Sequence, residues 1–326
     1  MSRVSVVIVN WNGRQLIVDC LQGLQEQSVS DLQIIVVDNG SSDGSPQFLA
    51  DTFPDISLIS LQRNTGFATA NNTAFGSLDT EYVALLNNDA RPHPDWLRNL
   101  IQALELHPEA GFAASKMLFH DNHQIVDRAG DAYTRAGTAW LRGRGEPAGS
   151  YCRKEYIFGA CAGAALYRFA MLKEIGFFDE DFFLLYEDVD LSFRAQLQGY
   201  PCLFVPEAIV YHKASSTIGD DSLTSVYYSH RNLEWVYIKN MPATLIPRTI
   251  LQHLMYDSAA LIYFSAVGQL VVFLKAKWHA LKGLRKMLAK RRRIQRRKQV
   301  TDQYIWSLLE NELLMPRLAR RLKRSA

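Results

Sequence analysis

At 326 residues, 48% hydrophobic and 21% charged, the chain can bury one large core or a core with an accessory segment, which excludes a disordered or fibrous protein. Its four cysteines, Cys20, Cys152, Cys161 and Cys202, show neither CxxC pairs nor the density of a disulfide scaffold, so reduced thiols in a cytoplasmic setting are expected. The net charge of +3 hides an asymmetry: residues 270 to 326 hold 17 Lys and Arg against 3 Asp and Glu, while residues 1 to 269 are net acidic.

The opening MSRVSVVIVNWNGR has too few consecutive apolar residues for a signal peptide, so export is not expected. Through residue 120, short β-branched runs alternate with helix-spaced patterns. SVVIVN (5–10), LQIIVVDN (32–39), ISLISL (56–61) and YVALLN (82–87) predict strands buried on both faces. RQLIVDCLQGLQEQ, SPQFLADTF and ATANNTAFGSL predict the helices between them. Such units predict a mostly parallel α/β sheet with right-handed crossovers and a ligand crevice at the carboxyl ends of its strands. Asn10, Asp38, Arg63 and Asn87 to Asp89 then stand at that crevice, each within a polar cluster: NWNG, DNGSSDG, RNTG or NNDARP.

A helix is predicted from Pro94 to about His107. The pattern then loses regularity through GFAASKMLF and a polar stretch from 120 to 155, where His120 and His123 read as loop residues. GACAGAALYR (159–168) predicts a strand, FAMLKEIG a helix, and CLFVPEAIVYH two short strands ending at His212. In between, LLYEDVDLSFRA (184–195) starts a helix near Glu187. Asp190 and Arg194, four apart, predict a surface pair worth about 0.3–0.5 kcal/mol. Asp188 has no basic residue three or four positions on, and in a first helical turn the dipole favours its ionised form. It can take a proton from a hydroxyl; the plainer alternative is that all three acids only start a helix.

Further on, SAALIYFSAVGQLVVFL (258–274) carries no charge over seventeen residues, the lower edge of the roughly 17–25 that span a bilayer. With KRRRIQRRK (290–298) behind it, the segment reads as a helix lying on or dipping into an anionic membrane surface. A core helix with a solvated basic face is the alternative. The basic block is not interleaved with aromatics, so no nucleic-acid partner is expected.

The chain has no Walker A sequence, GxSxG elbow or HExxH. What remains is Asp38, Asp89, Asp188 and His212 near predicted element ends. A crevice lined with acids, lacking a basic phosphate cradle, needs a divalent cation to hold a diphosphate. A carboxylate beside an imidazole suits Mn2+ or Mg2+.

SVVIVNWNG, VVDNGSSDGS, RNTGFATANN, LLNNDARP, FFLLYEDVDLSFRAQLQGY and VYHKASSTIG follow one another in the order seen in family 2 glycosyltransferases of the GT-A fold. Over residues 3 to 240 the chain most resembles bacterial rhamnosyltransferase-like members acting on lipid-linked cell-surface glycans. The resemblance implies a GT-A domain at 1–240, and the apolar and basic pattern behind it implies an amphipathic, basic helical region at 241–326 that associates with the membrane. It implies Asp188 as catalytic base, with Glu187 orienting the acceptor or capping the turn. Asn10, Asp38, Arg63, Asn64 and Asn88 would contact the nucleotide, Arg231 a diphosphate, and Asp89 and His212 the cation. Asp38 can accept the N3 proton of uracil or thymine, form an Asx-type turn, or do both; Arg63 can equally be a surface residue. Asn87 and Asn88 replace acids of the family's motif, which predicts weaker metal affinity before nucleotide binds. The implied reaction inverts configuration, with dTDP-L-rhamnose as donor and a polyprenyl-diphosphate-linked saccharide as acceptor, at the cytoplasmic face of the bacterial inner membrane. The alternatives are another donor, UDP-hexosamine or UDP-galactofuranose, and a non-catalytic nucleotide-binding scaffold.

Overall fold

The computed structural model describes residues 2–214 and 222–311. Its first half alternates as the sequence pattern predicts: β1 (Val4–Asn10), α1 (Ile17–Gln25), β2 (Leu32–Asp38), α2 (Ser45–Thr52), β3 (Ser57–Ser60), α3 (Phe67–Phe75) and β4 (Tyr82–Leu86). These strands pair in parallel in the order β4, β1, β2, β3. Helices cover both faces of β1 and β4, so their apolar runs show no polar alternation. β3 differs from expectation: it is the sheet edge, and its two terminal residues are exposed.

The chain continues through β5 (Ala90–Pro92), α4 (Trp96–Leu106), β6 (Phe112–Phe119), β7 (Asn122–Arg128), β8 (Asp131–Thr134), β9 (Ala139–Leu141), β10 (Glu155–Ile157), β11 (Ala164–Arg168), α5 (Phe169–Ile175), α6 (Glu187–Leu197) and β12 (Cys202–His212). β11 inserts antiparallel between β4 and β6, and β12 runs parallel to β6. The result is a mixed α/β fold with a mostly parallel central sheet. α4 shows why the helices dock: Trp96, Leu97, Leu100, Ile101 and Leu104 line one face and are buried against the sheet.

Three local readings are corrected. The polar stretch from 120 to 155 is not irregular, for it holds β7, β8 and β9; His123 is a β7 residue whose ring packs tilted against Tyr211, with centroids 4.1 Å apart. The strand expected over 159–168 starts only at Ala164, leaving 159–163 as a loop at the crevice. The two strands expected in CLFVPEAIVYH are one, β12, with an irregularity between Val205 and Ile209, where Pro206 lacks the amide to continue the ladder.

After β12 come α7 (Leu223–Asn240), α8 (Ile246–Ala266), α9 (Leu270–Arg296), α10 (Asp302–Leu308) and the two-residue β13 (Leu309–Glu310), which pairs with β8. Residues 215–219 of VYHKASSTIG and residues 312–326 lie outside the described residues. The apolar stretch 258–274 is not one helix but a hairpin, turning at Val267–Gln269 between α8 and α9. Among the described residues, no helix is long and apolar enough to cross a membrane. The boundary at 240 falls between α7 and α8, and side chains from both sides of it share one core: Tyr133, Phe193 and Trp235 pack with Ala280, Met287, Ile305 and Leu309.

The basic block is largely engaged inside the chain. Lys290 bridges Asp179 and Asp181, Arg291 caps the carbonyls of Ile238 and Met241, Arg297 bonds the Glu174 carbonyl and Lys298 pairs with Asp302. Much of the charge asymmetry is thus complementarity between the two parts of one fold.

Candidate active site

β1 and β2 are in register at Asn10 and Asp38, so both side chains emerge at the same end of the sheet. Asn10 Nδ2 donates to Asp38 Oδ1 at 3.2 Å, and Asn88 Nδ2, just past β4, donates to Asn10 Oδ1 at 2.8 Å. Asp38 Oδ2 accepts the Ser41 amide at 3.0 Å, so the Asx-type turn forms and the carboxylate is buried at the crevice floor.

The neighbouring RNTG loop is tied down by Asn39, whose Oδ1 accepts the Thr65 amide at 2.9 Å and whose Nδ2 donates to Asn64 Oδ1 at 3.1 Å. Arg63 is exposed on this loop. Gly66 has φ +86°, and a Cβ there would lie 2.5 Å from the Phe183 carbonyl oxygen. Only glycine lets this loop meet the turn ahead of α6 this closely.

A second cluster lies past β4 and β12. His212 Nε2 stands 3.2 Å from Asp89 Oδ1, and its Nδ1 lies 2.8 Å from Asp127 Oδ2 at the end of β7. Burial alone would depress the imidazole, but the bonds to Asp127 and Asp89 more than reverse this and lift it to about 9. Asp127 is fixed in turn by Arg144, 2.7 Å from its other oxygen. With Nδ1 engaged, Nε2 and the Asp89 carboxylate are the atoms left to bind a cation, a donor set that suits Mn2+ or Mg2+. Asn87 Nδ2 faces His212 Nε2 at 3.4 Å, while Asn88 is turned to Asn10; neither adds a carboxylate.

α6 supplies the third cluster. Asp188, half-buried, accepts the Ala162 amide at 3.2 Å and the Val189 amide at 2.8 Å, and the Gly163 carbonyl accepts the Asn87 amide at 2.9 Å. The 159–163 loop therefore joins Asp188 to the NNDA segment. Glu187 is buried; desolvation, then the Asp188 charge, push its carboxyl well above the usual range, and its Oε2 has no hydrogen-bond partner among the described residues. The N-cap residue Tyr186 makes no side-chain cap bond, and the first-turn Val189 amide is taken by Asp188.

The turn before α6 is strained. Phe183, Leu185 and Tyr186 have φ of 64°, 64° and 70°, a left-handed region that costs non-glycine residues about 1–3 kcal/mol each. α7 over-determines it. Asn232 Nδ2 donates to the carbonyls of Phe182, Leu184 and Leu185 at 3.0, 2.9 and 2.7 Å. Arg231, expected to meet a diphosphate, donates through Nη2 to the carbonyls of Asp181 and Phe182 at 2.9 and 2.8 Å. Asp190 and Arg194 do pair, at 2.9 Å, but not on the surface: both are buried, and Asp190 also meets Lys239 and Asn240 at 2.8 Å each.

The model of glycosyl transferase family 2 matches residues 5–176, more than half of the chain. This chain belongs to glycosyl transferase family 2. The glycosyltransferase is 27% identical over 228 residues to the N-acetylglucosaminyl-diphospho-decaprenol L-rhamnosyltransferase of Mycobacterium tuberculosis, covering 62% of this chain and 73% of that one. Its fold is similar to that of the mannosyltransferase PcManGT of Pyrobaculum calidifontis in complex with GDP-Man and Mn2+, with TM-score 0.55, 20% identity and coverage of 90% and 84% of the two chains. It is similar also to S. aureus TarS 1-349 in complex with UDP-GlcNAc, with TM-score 0.57, 16% identity and 90% of each chain covered. The fold is that of the GT-A glycosyltransferases.

The glycosyltransferase's crevice also holds groups that the sequence pattern did not single out. Arg128 is half-buried, 3.5 Å from Asp131, with Cys161, Asp188 and Asp127 within electrostatic reach. Burial, opposed by Arg128, pushes the Asp131 carboxyl up to about 7. Asp127, Arg128 and Asp131 sit in the stretch that read as irregular, where no period marked them. Asn39 and Asn232 had the weak signal of polar residues inside NG and RN pairs.

Proposed function

We propose that this glycosyltransferase inverts configuration in a single displacement, moving L-rhamnose from dTDP-L-rhamnose to a polyprenyl-diphosphate-linked saccharide in cell-surface polysaccharide synthesis. The observation that carries the reading is Asp188: a half-buried carboxylate at a helix N-terminus, fixed by two backbone amides and tied through 159–163 to the NNDA segment. The acceptor hydroxyl attacks the anomeric carbon, its proton passes to Asp188, and the bond to the nucleoside diphosphate breaks. Asn10, Asp38, Asn64 and Asn88 form the nucleotide floor, with Arg63 at its rim. Glu187, buried beside Asp188, would help orient the acceptor. Asp89 and His212 would hold Mn2+ or Mg2+, which supplies charge stabilisation for the departing diphosphate. Arg231 acts one step back, by fixing the turn that carries Asp188.

The rhamnosyl donor and the lipid-linked acceptor are supported by the name of the mycobacterial relative. A lipid-linked acceptor in turn supports peripheral association with the cytoplasmic face of the inner membrane. The experiment is calorimetric binding of dTDP, UDP and GDP with and without Mn2+, followed by turnover of the donor sugars on a lipid-linked acceptor. Metal-dependent binding of dTDP and rhamnose transfer are the expected results. Transfer from a UDP-hexosamine or UDP-galactofuranose instead would reassign the donor, and nucleotide binding without any turnover would leave a scaffold.

A further inference from the structure

We propose that the outer face of the α8–α9 hairpin is a docking surface for an anionic lipid bilayer. The proposal rests on the reading of a lipid-linked acceptor and names the part of the fold that meets the membrane.

Exposed apolar side chains are concentrated here. Of the 16 large hydrophobic residues exposed among the described residues, 12 lie between Ile250 and Leu288. On α8 they recur at helical spacing, with Leu251 67%, Leu254 54% and Ile262 70% exposed. On α9 the stripe is continued by Val271 79%, Trp278 57% and Leu281 62% exposed. This is not an unfinished core, because the hairpin already has a buried inner face: Ala260 and Phe264 of α8 and Phe273 of α9 pack on Val226 of α7. From Ile250 to Val267 the sole Asp, Glu, Lys or Arg is Asp257, and it turns inward to Lys277 at 2.6 Å. A solvent face of this length without an exposed charge is what a soluble surface avoids.

The charge pattern selects the occupant. α9 contains no Asp or Glu, and Lys275, Lys282 and Arg285 stand exposed along the apolar stripe, with Arg292, Arg293 and Arg296 exposed further on. Lys282 lies 5.4 Å from the Trp278 ring centroid, an indole and an ammonium side by side as at a headgroup boundary. A second copy of the chain packed symmetrically on this face would set the two cationic rims against each other. An anionic bilayer takes up the apolar stripe and neutralises the rim. The apolar hairpin, not the arginine block, is then the primary contact, since Lys290, Arg291, Arg297 and Lys298 are already engaged within the chain. α9 also carries Lys286 and Lys290, which hold Asp179 and Asp181 just before the strained turn. Docking α9 therefore sets the height of Asp188 above the headgroups, where a lipid-linked hydroxyl would arrive.

The test is co-sedimentation of the full chain with vesicles of phosphatidylcholine and phosphatidylglycerol, against vesicles of phosphatidylcholine alone. Binding to the anionic vesicles is expected, falling at least about 10-fold in Leu254→Glu/Trp278→Glu and weakening with salt in proportion to the Lys275 and Lys282 charges. Calorimetric nucleotide binding by the same variant should be unchanged. A measurement that needs no charged variant is quenching of the protein's fluorescence by brominated lipid, expected in the unsubstituted chain and reduced in Trp278→Phe. No binding to anionic vesicles, binding indifferent to both substitutions, or light scattering that shows a dimer converted to monomer by Leu254→Glu/Trp278→Glu would each overturn the proposal. Loss of nucleotide binding with vesicle binding intact would sink the glycosyl-transfer reading and leave the docking surface standing.

Discussion

His212 offers Nδ1 to the Asp127 carboxylate at 2.8 Å while its Nε2 faces Asp89 at 3.2 Å, so one imidazole lies between a carboxylate that orients it and a carboxylate that can share a cation with it. Such outer partners typically set metal affinity by about 10- to 100-fold. Asp127→Asn should weaken Mn2+ binding by that factor while leaving metal-free nucleotide binding in place. Calorimetry of Mn2+ with and without dTDP or UDP measures both, and an unchanged Mn2+ affinity would remove Asp127 from the site.

Asp188→Asn keeps the side-chain shape and can still accept the Ala162 amide, but it cannot take a proton. Turnover should fall by about 10²- to 10⁴-fold with nucleotide affinity unchanged. Retained turnover would shift the base to another group, whereas transfer absent from both proteins would favour the scaffold reading.

Asn232 satisfies three carbonyls in the turn that holds three residues at positive φ. Asn232→Ala takes this donor from the Leu184 and Leu185 carbonyls, while Arg231 still serves Phe182, at a cost on the order of 1–3 kcal/mol of stability. It should also lower kcat more than KM, because Asp188 follows directly on the relaxed turn. Thermal melting and steady-state kinetics check the two effects separately; a stability loss without any kcat change would mean that the turn needs no strap.

The remaining acid–histidine cluster is a structural tie with a pH signature. Glu234 of α7 accepts from His253 of α8 at 3.0 Å and pairs with Lys277 of α9, which also meets Asp257 of α8 at 2.6 Å; the ammonium occupies the cation's place among these ligand-like groups. Desolvation would raise Glu234, but His253 and Lys277 outweigh it and hold the carboxyl down to about 2. Its contribution is therefore present above its ordinary value of about 4.5 and lost as pH falls toward 2. His253 is raised from 6.5 by Glu234 despite burial, so its contribution is full below 6.5 and lost as pH rises through the raised value. Asp257, raised by burial, works against the acid-side loss in part. The melting temperature should decline on both sides of a window from about 4.5 to 6.5, and Glu234→Gln should flatten both slopes. Equal slopes in the two proteins would assign the pH dependence elsewhere.

β1, β2 and β4 were legible in the sequence because strands covered on both faces are apolar over most of their length, and the polar residues that end them must then fall at one edge of a parallel sheet. That alone placed Asn10, Asp38 and Asn88 together. The start of α6 was equally legible, from the acids that favour a helix N-terminus. The same local rules could not tell where Asp190 and Arg194 would lie, because spacing of four residues is identical on a wet and a dry face; α7, bringing Lys239 and Asn240, decided that they are buried. Nor could they show that Asp127 would orient His212, since β7 becomes a strand only by docking on β6, 85 positions before the histidine it meets. The tail is the clearest division. Its positive charge and its apolar stretch were properties of composition, whereas which lysines face Asp179 and Asp181 and which leucines face water was fixed only when α9 packed against α7, because a helix buries one side and the identity of that side depends on its neighbour.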